Sequence, residues 1–148
     1  MKEEWLDLTP STSTRLLDLL TERNDQVRRI SEQSWNEQSD IHISNSEWYI
    51  LATLYQAKTT IAEVTRNVHI SRQAIHKLIK NLEGKALVLV TDHPQNRKDK
   101  CIELTSLGHT CYEQNEALKA QLEQRIQESI GQEAFDQLKT ILRMDWKL

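Results

Sequence analysis

The chain has 148 residues, of which 38% are apolar and 28% charged, with a net charge of −3. These proportions exclude a disordered polymer and suit one domain with a modest core. No apolar run approaches the roughly 20 residues that cross a bilayer, so no membrane span is expected.

The low counts of 3 glycines and 2 prolines predict long helices and few tight turns. A first helix is expected from about Ser13 to Gln38, entered after Thr9-Pro10, with Leu16, Leu20, Val27 and Ile30 on one stripe that Arg23 interrupts. A helix this long exceeds what one small domain covers, so part of it is expected to pack on a partner. The segment "SNSEWYILATLYQA" predicts a second helix. Its Ser44 and Glu47 have capping-box spacing, and Ile50, Leu51 and Leu54 form an apolar face. "TIAEVTRNV" predicts a short third helix ending near Asn67, with Thr60 and Glu63 repeating the capping box. Ser71 then caps a fourth helix over Arg72 to Glu83. Two short helices about four residues apart have helix-turn-helix spacing.

The period then changes. Ala86 to Thr91, "ALVLVT", is a β-prone run, and Cys101 to Thr105 alternates, with Ile102 and Leu104 on one face. Between them "DHPQNRKDK" predicts a hairpin with a long basic tip. Thr105 caps a further long helix with Leu118, Leu122, Ile126 and Ile130 every four residues. Beyond Gly131, Phe135, Leu138 and Leu142 mark a last helix. The expected order is α-α-α-α-β-β-α-α, a mainly α fold with a small β-hairpin wing (α+β).

Charge is unevenly placed. Between Ile70 and Lys100 there are seven Lys or Arg and three Asp or Glu, inside a chain that is acidic overall. A basic block in an acidic molecule is the footprint of a polyanion site. On a helical wheel, Ala74, Ile75, Leu78, Ile79 and Leu82 fall on one side of the fourth helix. Arg72, Gln73, His76, Lys77 and Lys80 fall on the other, with no acid among them. An ordinary solvated face interleaves acids and bases, because i,i+4 pairs stabilise it. This face repels itself until an anion arrives, and its residue types suit base edges: Arg for guanine, Gln for adenine. Ser71, Arg72, Gln73, His76 and Lys77 are therefore the candidate base readers. Lys80, farther along, suits a phosphate, and Arg97 and Lys98 at the wing suit a neighbouring minor groove.

The stretch from Ser46 to Gly108 resembles the MarR family of bacterial winged-helix transcription regulators. It keeps the L-T-x-x-G of that family's wing as Leu104-Thr105-Ser106-Leu107-Gly108. At the family's D-x-R positions stand Asn96-Arg97-Lys98, which retain a positive tip and lose the acid that pairs with arginine in the family's wing. Ala86 stands where a glycine is usual, with Gly84 two residues earlier. The resemblance implies a winged helix-turn-helix over residues 44–108 of a single 148-residue unit. Residues 10–40 and 109–148 would be flanking dimerisation helices. It also implies a homodimer on double-stranded DNA, reading a pseudo-palindromic operator through two helices about one DNA turn, roughly 34 Å, apart. The family mostly represses, and a small organic effector releases the DNA. Trp35, His42, Trp48 and Tyr112, aromatic bodies with polar tips, are the candidates to line an effector cleft.

Other chemistries find little support. Cys101 and Cys111 stand in no metal or redox spacing, and the acidic start "MKEEWLDLTP" has no secretory pattern, so a reducing cytoplasm is expected. His42, His69, His76, His93 and His109 form no ligand pattern, so no metal and no cofactor is expected. No nucleotide-binding or hydrolase motif is present, and an enzyme is not expected. The alternative is a winged helix used for protein–protein contact, such as an anti-repressor, without sequence-specific DNA binding.

Overall fold

The computed structural model describes residues 12–148, so the Thr9-Pro10 helix entry and residues 10 and 11 of the expected dimerisation region lie outside the described residues. The elements are α1 (Leu16–Gln38), α2 (Asn45–Gln56), β1 (Thr59–Thr60), α3 (Ile61–Asn67), α4 (Arg72–Gly84), β2 (Val88–His93), β3 (Asn96–Leu104), α5 (Ser106–Ile130) and α6 (Gln132–Arg143). The mainly α fold with a small wing is as expected. Three details differ.

First, α1 starts at Leu16 rather than Ser13. The Ser13 hydroxyl accepts from the Arg15 N–H at 3.4 Å, a local bond that competes with a helical turn. Second, the sheet has three strands in the order β1-β3-β2, all antiparallel. Thr59 and Thr60 pair opposite Ile102 and Cys101, and a strand of two residues is too short to show alternation in the sequence. Third, the polar segment expected as a long hairpin tip is strand almost to its end. β2 stops at His93 and β3 starts at Asn96, so only Pro94 and Gln95 form the turn. Backbone pairing continues through polar positions, with Asp92 opposite Lys100. A strand exposed on both faces needs no apolar alternation, and the sequence pattern therefore hid it.

The core is one cluster. Trp35 of α1, Ile50, Leu51 and Leu54 of α2, Val64 of α3, and Ile75, Ile79 and Leu82 of α4 meet Leu87, Val88, Ile102 and Leu104 of the wing base. The Trp35 indole donates to the Ile41 carbonyl at 2.8 Å, which fixes the α1–α2 connection. The predicted capping box at α2 is complete. The Glu47 N–H donates to the Ser44 hydroxyl at 3.2 Å, and the Ser44 N–H donates to the Glu47 carboxylate at 3.1 Å. That carboxylate is buried and also accepts from the Lys85 ammonium at 2.7 Å, while Lys85 donates to the His42 carbonyl at 2.6 Å. A buried carboxylate is costly unless paired, and here its cation ties the start of α2 to the end of α4.

α4 ends in a Schellman motif. The Ala86 N–H donates to the Glu83 carbonyl at 3.0 Å, and the Leu87 N–H donates to the Leu82 carbonyl at 3.0 Å. Leu82 and Leu87, both fully buried, supply the hydrophobic contact of that motif. The residue that turns the chain is Ala86, at φ 59°. Glycine normally stands there, because a Cβ in the left-handed region clashes with the backbone at a cost of about 1–2 kcal/mol. Gly84, two residues earlier, is the last residue of the helix and does not serve the turn. Ala86→Gly is expected to raise stability by about 0.5–1 kcal/mol, net of glycine's greater freedom when unfolded. A urea unfolding curve reads this as a higher midpoint at unchanged slope, and a lower midpoint would contradict the strain.

The Leu104-Thr105-Ser106-Leu107-Gly108 stretch starts α5 by the same logic. The Thr105 hydroxyl accepts from the Gly108 N–H at 3.0 Å and donates to the Ala86 carbonyl at 2.6 Å. The Thr105 N–H donates to the Leu87 carbonyl at 3.1 Å. One residue thus caps α5 and holds the α4–β2 turn. Along α5 burial declines: Cys111 is buried, Leu118, Leu122 and Ile126 are half-buried, and Ile130 is exposed. Gly131, at φ 91°, then redirects the chain into α6, a conformation open to glycine and strained for other residues. α6 packs on α5 through Phe135, leaving Leu138, Ile141 and Leu142 exposed.

Candidate nucleic-acid interface

The polar face of α4 is built as the periodicity predicts. Ile75, Ile79 and Leu82 are buried, Ala74 and Leu78 half-buried, and Ser71, Arg72, Gln73, His76, Lys77 and Lys80 exposed. The Ser71 hydroxyl accepts from the Ala74 N–H at 3.2 Å, so its oxygen serves as the helix cap and its proton stays available to donate. No ion pair is formed by Arg72, Lys77 or Lys80 among the described residues. The cations of the face are therefore free for a ligand.

Between α3, α4 and β3 lies a groove of about 420 Å³. Ile61, Ala62 and Thr65 of α3 belong to its lining. Arg66, Arg72 and His76 line the helical side, and Lys98 and Lys100 the wing side. Asn96, Lys98 and Lys100 are alternate residues of β3 that all line this groove. Of the two wing residues, Lys98 lines this groove, and the Arg97 side chain lies outside what the structure describes. At the positions of the family's D-x-R, the Asn96 side-chain oxygen accepts from the Lys98 N–H at 3.0 Å. Among the described side chains, an acid–base pair across the wing is formed by Asp92 and Lys100, on facing positions of β2 and β3.

Arg66 and Lys100 were not among the residues singled out from the sequence. Arg66 sits near the end of α3, and nothing local distinguishes it. Lys100 could have been found from the N-x-K-x-K alternation of residues 96–100, had that segment been read as strand. The capping box expected at α3 is only half formed. The Glu63 N–H donates to the Thr60 hydroxyl at 3.1 Å, but the Glu63 carboxylate binds the Arg66 guanidinium. Thr60 belongs to β1 and pairs opposite Cys101, and Arg66 one turn on offers the carboxylate a charged donor.

The four effector candidates fall in different settings. Trp35 is buried, and its ring meets Trp48 edge-on at 4.8 Å between centroids. The Trp35 N–H is already spent on Ile41. His42 is exposed and contributes its carbonyl to Lys85. Tyr112 stacks on Tyr55 at 4.3 Å, and Tyr55 also meets His109 edge-on. The Tyr55 hydroxyl donates to Glu113 at 3.0 Å, and this bond with the nearby carboxylate pushes its pKa above the usual phenol value. Burial pushes the Cys111 thiol up as well, which keeps it protonated and a weak nucleophile.

Among the described residues, no three His, Cys, Asp or Glu side chains group to hold a metal ion. No helix among them is long and apolar enough to cross a membrane.

A sequence model of the MarR family matches residues 42–99. No curated protein sequence matches the chain. Among solved structures, the reduced form of MarR from E. coli superposes with a TM-score of 0.77 at 19% identity, covering 90% of this chain and 97% of that one. A complex of Staphylococcus aureus MepR with DNA gives 0.72 at 22% identity, covering 88% and 95%. A mutant E. coli MarR complexed with operator DNA gives 0.72 at 20% identity, covering 86% and 91%. Residues 42–99 are thus similar in sequence to the MarR family, and about 90% of the chain shares the winged-helix fold of the reduced E. coli MarR structure.

Proposed function

We propose that this protein is a DNA-binding transcription regulator. It works as a cytoplasmic homodimer that represses from a pseudo-palindromic operator and is released by a small organic effector. The observation that carries the reading is the exposed polar face of α4 from Arg72 to Lys80, which holds no acid and is opposed by the lysines of β3. Ser71, Arg72, Gln73, His76 and Lys77 read base edges in the major groove, and Lys80 rests on a phosphate. Lys98 and Arg97 belong to the wing contact. Two solved neighbours, the MepR and MarR complexes, hold DNA, which supports DNA as the partner here. Residues 44–108 form the DNA-binding unit.

The dimer is supported by what the single chain leaves uncovered. Leu16 and Leu17 of α1 and Ile141 and Leu142 of α6 are each more than half exposed, at 59%, 73%, 52% and 52%. Apolar faces of this kind at both ends of a chain mark an association surface. A second copy of residues 10–40 and 109–148 covers them. Trp35, His42, Trp48 and Tyr112 are the residues assigned to the effector.

The test is a salt titration with selected duplexes. The logarithm of affinity is expected to fall linearly and steeply with the logarithm of salt concentration, as several phosphates shed their counterions. The selected sites are expected to show two half-sites about 10 base pairs apart. Flat salt dependence would favour a protein–protein module. Light scattering is expected to give twice the chain mass at micromolar concentration, and a stable monomer would rule out the dimer.

A further inference from the structure

We propose that the groove between α3, α4 and β3 seats one phosphate of the DNA backbone, and that Arg66 and Lys100 are its ligands. The proposal rests on the DNA-binding reading and adds two residues to it. Both sit where the wing meets the helix pair, between the expected major-groove contact of α4 and the tip of the wing. A strand of DNA that passes from one to the other must carry its backbone across this groove.

The charges fit that occupant. The lining brings Arg66, Arg72, Lys98 and Lys100 together from three elements, with Asp99 as the one acid. Asp99 is partly satisfied, since its side chain accepts from the Lys100 N–H at 2.9 Å. Arg66 and Lys100 differ from the other two cations in having acid partners of their own. Glu63 holds the guanidinium from one turn back on α3, and Asp92 holds the ammonium from the facing strand. Both acids lie outside the groove lining. Each cation therefore lines the groove while its acid partner stands outside the lining.

Both pairs are exposed, and exposed ion pairs hold weakly. A phosphate oxygen offers a guanidinium a charge-assisted bond in a fixed geometry. Binding would exchange the carboxylate partners for phosphate. Glu63 and Asp92 then act in two ways: they orient the cations before binding, and they compete with DNA for them.

That competition gives a test that a structural role would fail. Affinity for a selected duplex is measured by fluorescence anisotropy across salt concentrations. Lys100→Gln and Arg66→Gln are expected to weaken binding about three- to tenfold and to reduce the salt slope by about 1, evenly across sequences. Asp92→Asn and Glu63→Gln are expected to tighten binding about twofold to threefold by removing the competing acid. If each pair merely braces the fold, both partners of a pair shift affinity in the same direction. That outcome, or an unchanged slope in Lys100→Gln and Arg66→Gln, overturns the phosphate seat and leaves the DNA-binding reading standing. If the unmodified protein shows no salt-dependent DNA binding, the functional reading falls and the seat with it.

Discussion

Gly108→Ala is expected to lower stability by about 2–3 kcal/mol, while Gly84→Ala raises it by up to about 1 kcal/mol. The same chemical change has opposite signs because the surroundings differ. A Cβ on Gly108 would stand 2.2 Å from the Leu87 carbonyl oxygen and 3.3 Å from a Leu104 methyl. The obstacle is backbone, and that carbonyl is itself bonded to the Thr105 N–H, so it cannot swing aside without loosening the α5 cap. At Gly84 a Cβ meets nothing within 4 Å, and alanine is the better helix former. Urea midpoints of the two variants separate these effects. Equal shifts of one sign would mean that α5 does not approach the wing base as closely as the structure has it.

Arg72→Ala is expected to weaken binding to a selected operator by about 2 kcal/mol, on the order of 30-fold, and to flatten preference at one base pair of each half-site. Arg72 opens α4, its side chain is exposed, and it has no ion pair among the described residues. An arginine at this end of a recognition helix reaches guanine O6 and N7 with two parallel bonds. Lys80→Ala supplies the contrast, since a phosphate contact weakens all sequences alike. Selection of bound duplexes by each variant reads both outcomes. An Arg72→Ala protein that keeps every base preference would show that another residue, with Gln73 the next in line, faces the bases.

The predicted elements divide according to where their causes lie. α4 was legible because its two faces are written at helical spacing: Ala74, Ile75, Leu78, Ile79 and Leu82 against Arg72, Gln73, His76, Lys77 and Lys80. Its cap at Ser71 and the capping box of Ser44 with Glu47 were legible because both bonds close within three residues. The half-formed box at Thr60 shows the limit. The spacing was present, but β1 and Arg66 offered other partners, and neither follows from spacing.

What the sequence by itself determined is therefore local: the helix boundaries to within a few residues, the inward and outward faces, and the basic character of residues 70–100. Tertiary structure alone decided the rest. It made a strand of the polar segment before Cys101, because pairing with β2 needs only backbone groups. It buried the Glu47 carboxylate and matched it with Lys85 across 38 residues of chain. It brought Arg66 to the same groove as Lys98 and Lys100. Periodicity reports which side of an element faces the core, and it cannot report which distant element will stand opposite. The approach of α3 to β3 is set by packing of Val64, Ile102 and their neighbours, and the grouping of cations follows from that packing.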